Sequence, residues 1–358
     1  MSIFDSPAFD HHEGVHAFAD EASGLKGFIA IHSTARGPAG GGCRMWPYAS
    51  EQDAIDDALR LARAMSFKNA VADLDLGGGK SVIIGDSRRD KTPAMFEAFG
   101  RAVDTLGGNY WAAEDVGISP DDLAAARRTT RFVAGLEGSP ASSGDPSPVT
   151  AEGVRRGIEL CVRRELKRDL DGVRVSIQGV GHVGAYLADK LAAAGAVLTI
   201  TDVNADTLKA VAERTGARIV STDEIFDIDA DVFAPCALGG AITTSTLARL
   251  RAPIIAGGAN NQLVDAATVC ALTERGVVYA PDFVINGGGI INVAAEIRAL
   301  ASGGAYDPAW VEAKLARLML TLEEVLDRAI TERRPTQDVA IEIARARIAA
   351  AAAAAMKV

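Results

Sequence analysis

Two lysines and a carboxylate in the first third of the chain are the side chains best suited to proton transfer. Lys68 and Lys80 stand twelve residues apart, and Asp115 follows in the segment "AAEDVGIS". A desolvated lysine beside a second cation loses its proton more readily, so that its pKa falls towards about 7–8 and it can act as a base. The other lysine stays charged and can bind a carboxylate. We therefore predict a site for a small substrate that carries a carboxylate.

The surroundings of Lys80 favour a functional role over solvent exposure. Three glycines, 77 to 79, precede it and the apolar run 82–84 follows, which is typical of a buried strand between turns. Glycines lack a Cβ and so let another group approach the backbone closely at the entrance of this strand, where Lys80 is expected. The alternative for both lysines is an exposed side chain that packs its aliphatic stem on the surface.

The clearest motif lies in "VRVSIQGVGHVGAYLADKLAAAGAVLTITDVN". Its glycines form G-x-G-x-x-G between a strand and a helix, which is typical of a turn that holds a pyrophosphate. Asp202 follows the next strand, where a carboxylate can accept a hydrogen bond from a ribose hydroxyl and would repel a 2′-phosphate. The pattern predicts an NAD site, and a glycine-rich turn without a ligand is the alternative. The loop residues predicted to contact the cofactor are Gly179, Val180, Gly181, His182, Val183 and Gly184, with His182 opening the helix.

The order of apolar segments predicts an α/β protein of two domains. The stretch "EGSPASSGDPSPVT", 137–150, is rich in proline, glycine and serine and is interpreted as a linker. After it, strand-like runs alternate with alanine-rich helical runs, which predicts a parallel, doubly wound Rossmann sheet that binds its ligand at the carboxyl ends of the strands. We place this nucleotide domain at 146–324, and a substrate domain at 1–145 with the helical C-terminus, 325–358, packed on it.

One helix can be located before the linker. Ser50 and Asp53 form an N-cap arrangement, and apolar residues then recur at helical spacing. Lys68 is expected just after this helix.

Composition excludes several classes of protein. The 358 residues carry a formal charge of −10, and 48% of them are apolar. The apolar fraction excludes a disordered chain, and the charge disfavours nucleic acid and anionic membranes as partners. No apolar run approaches the ~18 residues of a membrane span, and the N-terminus has no secretory pattern. The four cysteines match neither a disulfide framework nor a metal site, so we expect a cytoplasmic protein without a metal.

With these motifs in place, the sequence resembles the leucine, phenylalanine and valine dehydrogenases, the NAD-dependent branch of a superfamily that includes glutamate dehydrogenase. The matching segments run in the family's order from residue 37 to about 294: "GPAGGGCRMWPY", "RLARAMSFKNAVADLDLGGGKSVIIGD", "AAEDVGIS", "SGDPSPVTA", "QGVGHVG", "TDVN", "APCALGG", "AGGANNQL" and "APDFVINGGGIINVA". The resemblance implies oxidative deamination of an L-amino acid to a 2-oxo acid and ammonia, with reduction of NAD. It also implies a homo-oligomer.

The resemblance assigns roles to individual residues. Lys80 matches the catalytic lysine, Lys68 the lysine that binds the substrate carboxylate, and Asp115 the carboxylate that assists proton transfers. Gly41 and Asn261 match further groups around the substrate carboxylate. The cofactor contacts that it implies outside the glycine loop are Thr150, Asp202, Ala237, Asn260 and Arg44, although Arg44 could instead bond a helix end.

The substrate side chain is expected to be apolar. Glutamate dehydrogenases that resemble this chain carry a lysine at the position of Gly40, and without it a charged side chain would be buried unpaired. By resemblance the pocket wall includes Gly40, Ala113, Ile290 and Val293. Leucine dehydrogenases usually have leucine at position 40, so glycine opens space that could admit phenylalanine, whereas Ile290 in place of valine takes some space back. Branched-chain substrates are favoured, with phenylalanine or a broad specificity as the alternative.

Two other classes of function compete with this hypothesis. The segment "HEGVH", 12–16, matches the H-E-x-x-H helix of zinc proteases, although Gly14 weakens a helix by ~1 kcal/mol relative to alanine, and a polar helix face is the simpler interpretation. A non-catalytic NAD(H) sensor would keep the glycine loop and Asp202. It would have no use for paired lysines and an acid in the other domain, so Lys68, Lys80 and Asp115 favour the enzyme.

Overall fold

The computed structural model describes residues 3–356, and they form two compact units. The first unit comprises the described residues up to 145 together with 290–314 and those from 344 onward. The second unit comprises 146–289 and 315–343. The predicted domains share the division after residue 145 but differ from these units after residue 289.

The first unit is built on a five-stranded mixed sheet with the strand order β1-β2-β4-β3-β5, in which the strands are β1 Gly14–Asp20, β2 Leu25–Ser33, β3 Ala39–Trp46, β4 Gly77–Ile84 and β5 Tyr110–Glu114. β3 runs parallel to β4 and β5, whereas β2 is antiparallel to β1 and β4. β4 is the central strand, and it is buried from Gly77 to Ile83. The segment that carries Lys80 is therefore packed on all sides, as a buried strand should be.

Helix α1, Glu51–Val71, covers this sheet. The Ser50 side chain accepts a hydrogen bond from the Asp53 N–H, which confirms the predicted start of the helix. No glycine or proline interrupts the sequence up to Val71, so the helix continues through Lys68, and the expectation that Lys68 follows the helix was wrong. Two shorter helices, α2 Pro93–Asp104 and α3 Pro120–Arg127, complete the first part of the unit.

The second unit contains a six-stranded sheet in which every pairing is parallel, with the order β11-β10-β9-β6-β7-β8. Its strands are β6 Arg174–Gln178, β7 Val197–Thr201, β8 Arg218–Ile219, β9 Val232–Pro235, β10 Ile254–Ile255 and β11 Val278–Tyr279. Its helices are α4 Ser147–Glu165, α5 His182–Ala193, α6 Ala205–Thr215, α7 Thr244–Arg249, α8 Ala266–Glu274 and α9 Asp282–Ile285. This is the predicted doubly wound sheet. The chain switches direction between β6 and β9, which is where such sheets bind ligands.

The C-terminal part is helical, as predicted, with α10 Gly288–Ser302, α11 Pro308–Glu332 and α12 Thr336–Ala355. Helix α11 gives its first turns, up to residue 314, to the first unit and the rest to the second. An unbroken helix has no proline or glycine signal where the unit changes, so sequence could not place this boundary. Within residues 3–356, no helix is both long and apolar enough to cross a membrane.

Candidate active site

The three glycines before Lys80 lie inside strand β4, and they make room for the protein itself. A Cβ at Gly78 would lie 2.0 Å from the Ser66 backbone N on α1, and a Cβ at Gly79 would lie 2.8 Å from a ring atom of Tyr110 on β5. The expectation that Lys80 stands at the entrance of the strand, after a glycine turn, was therefore wrong. Lys80 is the fourth residue of β4, and its position is fixed by the close packing of a helix and a ring on the glycines before it.

Lys80 and Asp115 form an ion pair at the carboxyl end of β5. Lys80 is 5% exposed, and its Nζ lies 2.5 Å from the Asp115 Oδ2. The Arg44 Nε donates a second hydrogen bond to the same oxygen at 3.1 Å. Burial alone would raise the pKa of Asp115, but the charges of Lys80 and Arg44 outweigh it and lower that pKa to about 2. Asp115 is therefore a carboxylate at neutral pH, with two cations on one oxygen.

Arg44 is held in turn by a second carboxylate, that of Asp57 on α1. The Arg44 Nη1 lies 3.0 Å from the Asp57 Oδ2, and the Tyr48 hydroxyl donates to the same oxygen at 2.7 Å. Burial and the neighbouring carboxylate raise the pKa of Tyr48 well above its ordinary value, so this hydroxyl stays a donor. Arg44 thus bridges two carboxylates in a line that runs from α1 to Lys80.

The paired glycines of β3, Gly41 and Gly42, are positioned by the buried Tyr110 hydroxyl. This hydroxyl donates to the carbonyl oxygens of Gly41, at 3.1 Å, and Gly42, at 3.3 Å. Its oxygen also lies 3.0 Å from the Ser81 Oγ. A Cβ at Gly42 would lie 3.1 Å from the Lys80 Nζ, so this backbone passes directly beside the ion pair. The sequence analysis assigned no role to Tyr110 or Ser81, which resemble ordinary core residues when the order of strands is unknown.

Lys68 lies in the last turn of α1 and is half-buried. The next side chain, Asn69, fastens this turn to the sheet because its Nδ2 donates to the Gly77 carbonyl at 2.5 Å and to the Gly40 carbonyl at 3.3 Å. Lys68, Lys80 and Asp115 all belong to the first unit, and the joint role of Lys68 with the other two stays a prediction.

The four predicted pocket residues also belong to the first unit. Gly40 lies on β3, and Ala113 lies on the adjacent strand β5, where it is paired with Gly42. Ile290 and Val293 lie three residues apart in α10, which places them on one face of that helix. A Cβ at Gly40 would lie 3.2 Å from the Leu76 Cδ1, so Leu76 packs on the side of this glycine to which a Cβ would project.

The glycine loop of the second unit connects β6 to α5. Gly179 has a φ of +94°, which favours glycine, and a Cβ at Gly184 would lie 2.0 Å from the Gly179 carbonyl oxygen. These two glycines give the tight turn and the close packing of helix on strand. Asp202 at the end of β7 is joined to the loop because its Oδ2 accepts a hydrogen bond from the Val180 N–H at 2.7 Å. The motif and its acid, 22 residues apart in sequence, are thus brought together.

Gly181 differs from its neighbours and suits a phosphate-bearing cofactor. A Cβ there would meet no heavy atom within 4 Å, and α5 begins beside it without a hydrogen bond from a capping side chain. Free N–H groups and the positive end of the helix dipole lie next to open space, which is the arrangement that binds phosphates. His182 is the first residue of α5, as predicted, and Val183 follows in the first turn.

The remaining predicted contact residues of the second unit lie in α4 and in the loops after β9 and β10. Thr150 is in the first turn of α4, and Ala237 follows β9. Asn260 and Asn261 follow β10, where the Asn260 Oδ1 accepts a hydrogen bond from the Asn286 Nδ2 at 2.7 Å. Asn286 also donates to backbone carbonyls of this loop, and sequence analysis gave it no role even though it lies in the matching segment "APDFVINGGG". The cofactor role of these residues stays a prediction.

The zinc-protease hypothesis fails on secondary structure. Residues Gly14–Asp20 form strand β1, so His12 and His16 do not share a helix face, and a polar helix face was an equally wrong expectation. Glu13 instead bonds Thr34, and the His12 Nε2 lies 2.9 Å from the Leu59 carbonyl oxygen. Among the described residues, no group of three or more metal-binding side chains comes together.

Comparison with known proteins identifies the family of this chain. The family described as "Glu/Leu/Phe/Val dehydrogenase, dimerisation domain" matches residues 12–132, and "Glutamate/Leucine/Phenylalanine/Valine dehydrogenase" matches residues 143–356. The chain belongs to the Glu/Leu/Phe/Val dehydrogenase family. It is an amino acid dehydrogenase, and membership of this family implies a nicotinamide cofactor.

The similar proteins are dehydrogenases named for different amino acids. A leucine dehydrogenase of Thermoactinomyces intermedius is 49% identical over 83% of this chain and 81% of its own length. A phenylalanine dehydrogenase of Lysinibacillus sphaericus is 41% identical over 80% of this chain and 77% of its own length. The crystal structure of an L-tryptophan dehydrogenase from Nostoc punctiforme, at 37% identity, has a TM-score of 0.83 and covers 95% of this chain and 97% of that one.

Proposed function

We propose that this amino acid dehydrogenase uses NAD to deaminate apolar L-amino acids, with leucine and other branched-chain substrates preferred. The observation that supports the chemistry best is the buried contact between Lys80 and Asp115, placed beside the paired glycines of β3. Leucine is supported by leucine dehydrogenases at 48–49% identity among the relatives. Phenylalanine is the second candidate, because Gly40 adds no side chain to the proposed pocket wall and phenylalanine dehydrogenases are also similar to this chain.

The residues of the first unit divide the work. Lys68 remains charged and binds the substrate α-carboxylate, together with the backbone at Gly41. Lys80, as the free amine, takes a proton from the water that attacks the iminium carbon of the oxidised substrate. Asp115 accepts that proton from Lys80 and gives it to the nitrogen of the carbinolamine. As the C–N bond breaks and ammonia leaves, the free amine of Lys80 takes the hydroxyl proton and the C=O bond of the 2-oxo acid forms. When bound, the nicotinamide accepts the hydride from the substrate Cα.

The charge state of Asp115 supports this order of events. Its pKa of about 2 keeps it ionised at neutral pH, so it begins the reaction as a proton acceptor and stabilises the cationic iminium. The 2.5 Å between the Lys80 Nζ and the Asp115 Oδ2 lets the proton pass directly from one group to the other.

NAD, rather than NADP, is proposed from the glycine loop. Asp202 lies at the end of β7 and is fastened to the Val180 N–H, where its negative charge would oppose a 2′-phosphate. Gly179, Gly181 and Gly184 would hold the pyrophosphate at the start of α5. Thr150, Ala237 and Asn260 would contact the rest of the cofactor, and Asn261 the substrate carboxylate.

A spectrophotometric assay of NADH formation tests the proposal. The panel compares kcat/KM for L-leucine, L-valine, L-phenylalanine and L-glutamate, each with NAD and with NADP. We expect leucine or valine to give the highest value with NAD and glutamate to give almost none. A preference for glutamate, or for NADP, would overturn the proposed specificity.

The catalytic assignment is tested by Lys80→Ala. Removing the base should lower kcat by about 10²–10⁴-fold, the usual contribution of general base catalysis, while the affinity for NADH measured by fluorescence is retained. Lys91→Ala is the matched control, because Lys91 is also paired with a carboxylate, Asp122, in the same unit. Near-normal turnover in Lys80→Ala would remove Lys80 from the chemistry.

We also propose a cytoplasmic homo-oligomer. The description of the family that matches residues 12–132 as a dimerisation domain supports self-association. The four cysteines are all free thiols, which suits a reducing compartment. Light scattering at several protein concentrations would test the assembly, and a monomer at all of them would contradict it.

A further inference from the structure

The Lys80–Asp115 pair poses a problem for a base that must lose its proton. When Lys80 becomes a neutral amine, the partly buried Asp115 loses the cation that compensates its charge. An uncompensated carboxylate in such a place is unfavourable and would draw the proton back. A second, permanent cation on the same carboxylate removes this obstacle, and Arg44 lies where such a cation is needed.

We propose that Arg44, anchored by Asp57, is a positioning residue that orients Asp115 and compensates its charge while Lys80 is a neutral amine, before any proton reaches Asp115. This inference rests on the proposed roles of Lys80 and Asp115. It assigns Arg44 to the proton-transfer site of the first unit rather than to the cofactor.

The geometry supports the assignment from both sides of Arg44. Its Nε and Nη1 point to different carboxylates, Asp115 at 3.1 Å and Asp57 at 3.0 Å, so the planar guanidinium fixes the direction of the first by means of the second. A guanidinium remains charged at every working pH and holds its donors in one rigid plane, so that it can bond two carboxylates at once. Asp57 is itself fixed by the Tyr48 hydroxyl at 2.7 Å and by Arg60 at 2.5 Å.

Of the two cations that contact Asp115, Arg44 is the one whose charge does not change during the reaction. The charged and titratable groups around Asp115 include Lys80 on β4, Arg44 and Cys43 on β3, Tyr110 on β5, Asp57 and Arg60 on α1, Tyr48 after β3, and Asp122 of α3, which is paired with Lys91. Burial lowers the pKa of Arg44, but the charges of Asp115 and Asp57 raise it by more. The net shift is upward, so the guanidinium keeps its charge. The Cys43 thiol is buried, and burial raises its pKa to about 12.

The test is the pH dependence of kcat/KM in the deamination direction, with L-leucine and NAD. In Arg44→Gln the pair Lys80–Asp115 loses a nearby positive charge and holds its proton more tightly. The midpoint of the acid limb should therefore move up by about one pH unit, and kcat at neutral pH should fall about tenfold. A merely structural role would lower activity without moving the limb.

Two further variants separate charge from geometry. Arg44→Lys keeps a charge but loses the two-pronged geometry, so kcat should fall about threefold while the acid limb stays within roughly 0.3 pH unit of the wild type. In Asp57→Asn the anchor is lost and a negative charge is removed, so kcat should fall while the limb stays or moves to lower pH. These two variants also decide the question if Arg44→Gln does not fold.

Arg128→Gln is the matched control, because Arg128 pairs with Glu97 at 2.8 Å on the surface of the same unit. It should leave both kcat and the acid limb unchanged. An unmoved acid limb in folded Arg44→Gln, or an equal shift in Arg44→Lys, would overturn the inference. Asp115→Asn is measured alongside: full activity in that variant, or no amino acid oxidation by the wild type, would instead show that the proposed function has failed.

Discussion

Each unit contains a glycine-rich segment, and the two segments need glycine for opposite structural reasons. In β4 of the first unit, the space that a Cβ would need at Gly78 is already occupied by Ser66 of α1. In the loop before α5 of the second unit, the space beside Gly181 is open to 4 Å. The first segment uses glycine so that the protein can pack on itself and hold Lys80. The second uses it so that something else can approach.

The comparison predicts its largest effect for Gly78→Ala. The added Cβ would lie 2.0 Å from a backbone nitrogen and 2.2 Å from the Ser66 Oγ, and neither strand nor helix can yield easily in a packed core. We expect the free energy of unfolding in urea to fall by more than about 3 kcal/mol. A variant as stable as the wild type would show that α1 is not pressed against β4 in this way.

Acid should weaken the same contact, since a buried histidine bonds the helix residue that faces Gly78. The His32 Nδ1 lies 2.8 Å from the Ser66 Oγ. Burial, the nearby His12 and the cations Arg63 and Arg345 lower the pKa of His32 to about 4, against the opposing charge of Asp10. As the pH falls, His32 in the unfolded state therefore takes up its proton near pH 6.5, whereas His32 in the folded state takes it up only near pH 4. Stability from this group is complete above about pH 6.5 and is lost as the pH falls towards 4.

The expected loss is roughly 2–3 kcal/mol between these limits. It is measured as the difference in the free energy of unfolding between pH 7.5 and pH 4.5. His32→Gln cannot take up the proton, so this difference should shrink in the variant. An equal dependence on pH in both proteins would exclude His32 as its source.

A substitution in the glycine loop of the second unit should change cofactor binding rather than stability. Gly181 has a negative φ of −65°, and in Gly181→Ala the Cβ meets no protein atom within 4 Å, so the free energy of unfolding should change by less than about 0.5 kcal/mol. The same Cβ enters the space proposed for the cofactor, and the KM for NAD should rise about tenfold. A large loss of stability with an unchanged KM would invert the comparison.

The structure of the loop before α5 could be predicted from sequence more fully than the surroundings of Lys80 in β4. The glycine spacing, the flanking strand and helix, and Asp202 form a local pattern, and its loop geometry was found as predicted at Gly179 and Gly184. Lys80 is linked through Asp115, which follows β5, to Arg44 on β3 and Asp57 on α1, and the order β2-β4-β3-β5 cannot be derived from strand sequences alone. For this reason Asp57, Tyr48 and Tyr110 were missed, and Lys80 was expected at a strand entrance.

A further glycine of the first unit, Gly40, has side-chain atoms rather than backbone atoms nearest to the place of a Cβ. A Cβ at Gly40 would lie 3.2 Å from the Leu76 Cδ1 and 3.8 Å from the Asn69 Nδ2, contacts that a small adjustment of a leucine side chain can relieve. Gly40→Ala should therefore fold normally, unlike Gly78→Ala. Its effect on stability should be small, and only the choice between substrates should change.

Gly40→Ala should act on specificity rather than on stability. If Gly40 forms part of the pocket wall, one added methyl group reduces the space for a bulky side chain, and such differences are worth about 1–3 kcal/mol in an apolar pocket. We expect the ratio of kcat/KM for leucine to that for phenylalanine to rise about tenfold. Ala113→Gly is the converse variant on the neighbouring strand, and it should lower the ratio. A ratio that stays constant in both variants would place the substrate side chain away from β3 and β5.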